Sequence, residues 1–112
     1  MQNKSEYNKK IGDVLGLARK AGAIIAGTEL VIDSMRRAKA CRVYISSDVS
    51  DATLKKLKDK AAFYKVQAEM LDLNMDELAH CVGFLRPAAA VSLTDKNFLK
   101  LTEKINNSGG KT

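Results

Sequence analysis

His80 and Cys81 stand side by side, and by residue type they are the neighbours best suited to act as base and nucleophile. Adjacent helical residues point roughly 100° apart and do not readily share a reacting atom, so the pair reads as a core cysteine beside a surface histidine. Glu29 and Asp33, four apart on one helix face, have a spacing that could hold a metal. Oxygen-only sites usually need more ligands than two carboxylates, and no further cluster stands beside them. No catalytic residue, metal or cofactor is therefore expected. Gly27-Thr28 has a different capacity. A glycine at a sharp strand-to-helix turn, followed by a residue able to cap the helix from Thr28, leaves unpaired amides and the positive end of a helix dipole open to a phosphate oxygen. Many plain strand-helix turns look alike, so this signal needs support from charge.

The support comes from an excess of cations. Nineteen Lys and Arg oppose thirteen Asp and Glu, giving a net charge of +6 and a pI near 9.4, a surplus that draws a protein toward nucleic acid. Arg36, Arg37, Lys39 and Arg42 form a cluster with no acid between them, and Arg19 and Lys20 precede the glycine turn in sequence. Between Lys65 and Lys96 the balance reverses. There Arg86 is isolated among Glu69, Asp72, Asp76, Glu77 and Asp95, which makes a loop cation more telling than one of many. Two cysteines without metal or disulfide spacing suit a reducing compartment, and no apolar run approaches the ~20 residues of a membrane span. A soluble, cytoplasmic protein is expected.

The elements that must position these residues follow from hydrophobic periodicity. Ile11, Val14, Leu15, Ala18 and Ala21 predict a first helix over Asn8 to Ala21, in which Gly12 and Gly16 share a face and allow close packing. A short strand after Gly22 runs through Ile24 and Ile25 to the turn. Leu30, Val31, Ser34, Met35 and Ala38 then make the inner stripe of a second helix, with Glu29, Asp33, Arg36 and Arg37 outside. Cys41 to Ile45 is a buried strand. Ser50 caps a third helix with Leu54, Leu57, Ala61 and Tyr64 inward and Lys55, Lys56, Lys58 and Lys60 elsewhere. Val66 to Leu71 is a strand, and Asn74 with Glu77 makes a capping box for a helix that ends at Gly83. After the loop Phe84-Leu85-Arg86-Pro87 come a strand over Ala88 to Leu93 and a last helix from Thr94, with Phe98, Leu101 and Ile105 inward. A single domain over 1–112 is expected, ordered from about residue 8 to 106 and flexible over 107–112. Alternating strands and helices imply a three-layer α/β/α sandwich.

Gly22, Gly27-Thr28, Ala38-Lys39-Ala40 before a buried strand, and Gly83-Phe84-Leu85-Arg86-Pro87-Ala88-Ala89-Ala90-Val91 recur in one order. In this order the chain resembles the kink-turn-binding ribosomal-protein family, the L-seven-Ae superfamily. The early Leu-Gly-Leu-Ala, Leu15 to Ala18, is most similar to its bacterial YlxQ-like branch. The resemblance spans about Ile11 to Ile105. It implies an α/β/α sandwich around a mixed four-stranded sheet, and a non-catalytic protein that binds sharply bent RNA with the start of the second helix and a facing loop before the last strand. The family's helix-start signature of Gly, any residue, Asn, Glu, two residues and Lys falls on Gly27, Thr28, Glu29, Leu30 and Asp33, of which the glycine alone is kept. Leu85, Arg86 and Pro87 hold the facing loop.

The resemblance thus implies an RNA-binding surface of Gly27, Thr28, Glu29, Leu30, Asp33, Arg36, Arg37, Leu85, Arg86 and Pro87. Structured, kink-turn-like RNA is the expected partner, with ribosomal RNA and the ribosome as candidates, and the protein is expected to act as a monomer. Acidic residues at two signature places leave open an alternative, a protein-interaction module that keeps the fold and has lost its specific RNA.

Overall fold

The computed structural model describes residues 4–110, with side chains from 6 to 105. In chain order the elements are α1 (Lys4–Lys20), β1 (Ile24–Ala26), α2 (Thr28–Arg36), β2 (Arg42–Ile45), α3 (Asp51–Tyr64), β3 (Ala68–Met70), α4 (Met75–Cys81), β4 (Ala90–Leu93) and α5 (Lys96–Gly110). The four strands form one mixed sheet in the order β1-β4-β2-β3, with β4 antiparallel to both neighbours and β2 parallel to β3. β1 and β2 therefore point the same way. α2 and α3, which follow them, both begin at the same edge of the sheet.

Side chains alternate across the strands and divide the core in two. Ile11, Leu15, Tyr44, Leu78, Val82, Val91 and Leu93 fill the layer under α1, α4 and α5. Val31, Met35, Val43, Ile45, Leu57 and Ala90 fill the layer under α2 and α3. This is the expected α/β/α sandwich with a mixed four-stranded sheet. Gly12 and Gly16 do share a packing face: a Cβ on Gly12 would lie 2.9 Å from Cys81 Sγ, and one on Gly16 3.0 Å from the Cys81 carbonyl oxygen. α1 and α4 approach at glycines because larger side chains would force them apart.

Several boundaries differ from the periodicity reading. α1 begins at Lys4 rather than Asn8, through a polar turn that an apolar stripe does not reveal. α5 begins at Lys96 rather than Thr94, since Asp95 Oδ1 accepts from the Asn97 amide 2.8 Å away and holds the entry turn. It runs to Gly110, past the boundary expected at about residue 106; Lys111 and Thr112 lie outside the described residues. Leu101 is exposed and Thr102 takes the buried place, its hydroxyl donating to the Leu99 carbonyl oxygen at 2.7 Å. Ala38 leaves the inner stripe of α2 because the helix has ended: it is exposed with φ 59.

Candidate nucleic-acid interface

The register of the sheet brings the turn and the loop together. Ala26 pairs with Val91 and Ile45 with Ala90, so the chain entering β4 passes between the ends of β1 and β2. The Gly27 amide donates to the Ala90 carbonyl oxygen at 3.0 Å, and the Ser46 amide to that of Ala89 at 2.8 Å. The Ala88 amide in turn donates to the Met75 carbonyl oxygen at 3.2 Å, which ties the loop's exit to α4. Leu85, Arg86 and Pro87 are thereby held at the sheet edge where α2 starts, although more than fifty residues of sequence separate them from Gly27.

At the turn the cap is Gly27, not Thr28. Gly27 takes φ 105 and ψ 141, Thr28 is already the first helical residue, and no side chain caps α2. Its amide end is left without a side-chain acceptor and opens at this edge. The starts of α3 and α4 are satisfied: Ser50 Oγ accepts from the Thr53 amide at 3.2 Å, and Asn74 and Glu77 form a complete capping box. Ser50→Ala is expected to lower unfolding free energy by about 1 kcal/mol in urea titration, and Thr28→Ala to stay within ~0.5 kcal/mol of wild type. An equal loss in both variants would show that Thr28 caps α2 after all.

Along α2 the acids are engaged by cations. Asp33 bridges Arg36 and Arg37, with Arg37 Nε 2.9 Å from Asp33 Oδ2. The hydrogen bond from Arg36 holds the Asp33 carboxyl below its usual range. Glu29 reaches across to α3, where Lys56 Nζ lies 2.7 Å from its Oε2. The two carboxylates that could have shared a metal thus face different cations, and among the described residues no group of three metal-ligating side chains occurs. Leu30 is 61% exposed, outside the inner stripe that periodicity assigned it, while Val31, Ser34 and Met35 are buried. It therefore joins Thr28, Glu29 and Asp33 on the accessible side of α2.

Two parts of the basic cluster lie elsewhere. Arg42 shares its strand face with Tyr44, under the α1 and α5 layer, because β2 alternates and Val43 and Ile45 turn toward α2 and α3. Its guanidinium is engaged by Glu69 and Gln67, each at 3.1 Å, and Glu69 also accepts from the Tyr7 hydroxyl at 2.6 Å. Arg19 and Lys20 end α1 before β1 begins, at the opposite end of β1 from Gly27. Nearness in sequence to the turn does not place them beside it.

The loop is the most exposed part of the site. Leu85 is fully exposed, Phe84 is 39% exposed, and Arg86 and Pro87 are exposed. Among the described residues Arg86 enters no ion pair. Pro87 fixes one backbone angle of this segment. On the preceding helix Cys81 is half-buried against Gly12, and burial, with Asp13 and Glu77 nearby, pushes its thiol up, against what a nucleophile needs. His80 beside it is exposed. A broad open groove of about 1280 Å³ between α1 and α4 is lined by charges of both signs, Lys9 and Lys20 with Asp76 and Glu77, and includes neither α2 nor the Leu85 loop.

The sequence profile of the ribosomal protein L7Ae/L30e/S12e/Gadd45 family matches residues 9–103. The chain belongs to this family. Among L7Ae-type relatives, the RNA-binding protein YlxQ of Enterococcus faecium is 34% identical over 97 residues, which cover 87% of this chain and 91% of that one. The RNA-binding protein YlxQ of Bacillus subtilis is 34% identical over 85 residues, covering 76% and 83%. Among solved structures, a protein of unknown function from Bacillus halodurans superimposes with a TM-score of 0.77 at 28% identity, covering 87% of this chain and 97% of that one. The 15.5kD RNA binding protein of Giardia lamblia gives 0.81 at 15% identity, with 96% and 90% covered, a likeness of fold. The L7Ae-type chain has no helix, among its described residues, long and apolar enough to cross a membrane.

Proposed function

We propose that this protein is a non-catalytic binder of structured, sharply bent RNA, acting as a cytoplasmic monomer with ribosomal RNA among its targets. The observation that carries the reading is the loop: a fully exposed Leu85 beside an Arg86 that pairs with no acid among the described residues, fixed at the edge where the start of α2 opens without a side-chain cap. An apolar side chain in that position can pack on an extruded nucleotide while the cation meets a phosphate. Gly27 lets backbone come close to the ligand, and Thr28, Glu29 and Leu30 face it from the first turn. The net charge of +6 and the names of the YlxQ relatives support RNA as the partner.

Asp33, at the place of the family's lysine, acts on this reading as a brake, because it neutralises Arg36 and Arg37. Asp33→Lys removes a carboxylate, frees both arginines and adds a cation. The experiment is a gel-shift titration of wild type and Asp33→Lys against a kink-turn RNA, a mutant lacking its G·A pairs, and a plain duplex, at low and high salt. Wild type is expected to prefer the kink-turn and to lose affinity steeply with salt, and Asp33→Lys to bind about tenfold tighter and with a steeper slope. Equal, salt-independent affinity for all three RNAs would overturn the proposal.

A further inference from the structure

Lys56, Lys60 and Phe63 follow one another along α3 at i, i+4 and i+7, and so share one face. That face is turned away from the core, which takes Leu57 and Ala61. Phe63 is 74% exposed, and the Tyr64 ring meets it edge-on, with centroids 4.9 Å apart and planes at 88°. One flank of Phe63 is thus supported while the ring stays open. The acids nearby are occupied: Asp59 by Lys55 at 3.4 Å, and Glu29 by Lys56 at 2.7 Å. The second of these pairs joins the stripe to the first turn of α2.

We infer that this face of α3 is a second RNA contact, for an unpaired strand that leaves the bent RNA, with Phe63 stacking on a base and Lys60 meeting a phosphate, while Lys56 stays tied to Glu29. The inference rests on the RNA-binding reading and extends it to a separate surface. α2 and α3 start at the same sheet edge and run side by side, so a strand leaving the first turn of α2 along this layer passes Lys56 first and Phe63 about 10 Å further on. An exposed ring braced on one flank by Tyr64, with an ammonium group three residues before it at Lys60, matches the alternation of base and phosphate in a single strand. The residues three and four positions before Phe63 are Lys60 and Asp59, so the ring lacks the apolar neighbours that a helix-in-groove partner or a membrane surface would use.

The test compares a kink-turn RNA with the same RNA carrying a ten-nucleotide single-stranded extension at either end, and with an abasic version of that extension. Wild type should gain affinity from one extension, roughly 5- to 100-fold, and much less from its abasic form. Phe63→Ala should abolish the gain while leaving affinity for the unextended RNA and the melting temperature as they were, and Phe63→Trp should restore it. A wild-type protein that binds the unextended RNA and gains nothing from either extension would overturn this inference alone. Binding to none of the RNAs would overturn the underlying reading. Loss of self-association in Phe63→Ala, with the extension gain intact, would overturn the inference in favour of a protein contact.

Discussion

Gly27→Val should cost the protein both stability and RNA binding, about 1–3 kcal/mol of the first and more than tenfold of the second. The cause is backbone conformation, not space: a Cβ at Gly27 would meet nothing within 4 Å, but φ 105 with ψ 141 is a region that residues with a side chain rarely adopt. Relaxing the strain means rotating the turn, and the turn is tied at both ends. Its amide donates to the Ala90 carbonyl oxygen at 3.0 Å, and its carbonyl oxygen accepts from the Val31 amide at 2.8 Å. A rotation therefore breaks the link to β4 or the first bond of α2, and either change re-aims the helix start relative to the Leu85 loop. Urea unfolding and gel-shift titration of the same variant check both effects. A valine variant with wild-type midpoint and affinity would show that the turn neither stores this constraint nor positions the site.

What could be read from the sequence was what depends on near neighbours. Ser50 and Asn74 cap their helices because the signal and the partner lie within three residues of each other. The glycine turn, the order of elements and the α/β/α layering follow from local chemistry and from the period of apolar residues. Thr28 failed as a cap because capping belongs to the last non-helical residue, and the special dihedrals of Gly27 let the helix begin one residue sooner than a threonine cap would allow. Arg42 looked like part of a surface cluster, but strand alternation carried it to the other face of the sheet, a consequence that proximity in sequence hides. Asp33 stands in the sequence as an acid at a signature place, and in the structure it is held by Arg36 and Arg37 one turn further along α2. The pairing of Glu29 with Lys56 joins two helices through residues twenty-seven apart in sequence, and nothing local announces it.

Leu85 and Arg86 are expected to separate affinity from preference. A leucine in a loop can also serve the core, and truncating a core leucine would remove about 2–5 kcal/mol of stability. The fully exposed side chain removes that reading, so Leu85→Ala should leave the urea midpoint unchanged. Its effect should fall on discrimination, with affinity for bent RNA dropping about tenfold and affinity for a plain duplex hardly moving, since a duplex offers no extruded nucleotide to pack against. Arg86→Ala removes a cation that no carboxylate among the described residues engages. It should weaken binding to every RNA alike and reduce the salt slope by about 1, as follows when a single phosphate is no longer neutralised. The double variant should then show both changes, with partial non-additivity because the residues are adjacent and share one ordered loop. Anisotropy titrations at low, intermediate and high salt, beside urea unfolding, decide the matter. A destabilised Leu85→Ala together with a silent Arg86→Ala would take this loop out of the interface and leave the start of α2 to bind RNA alone.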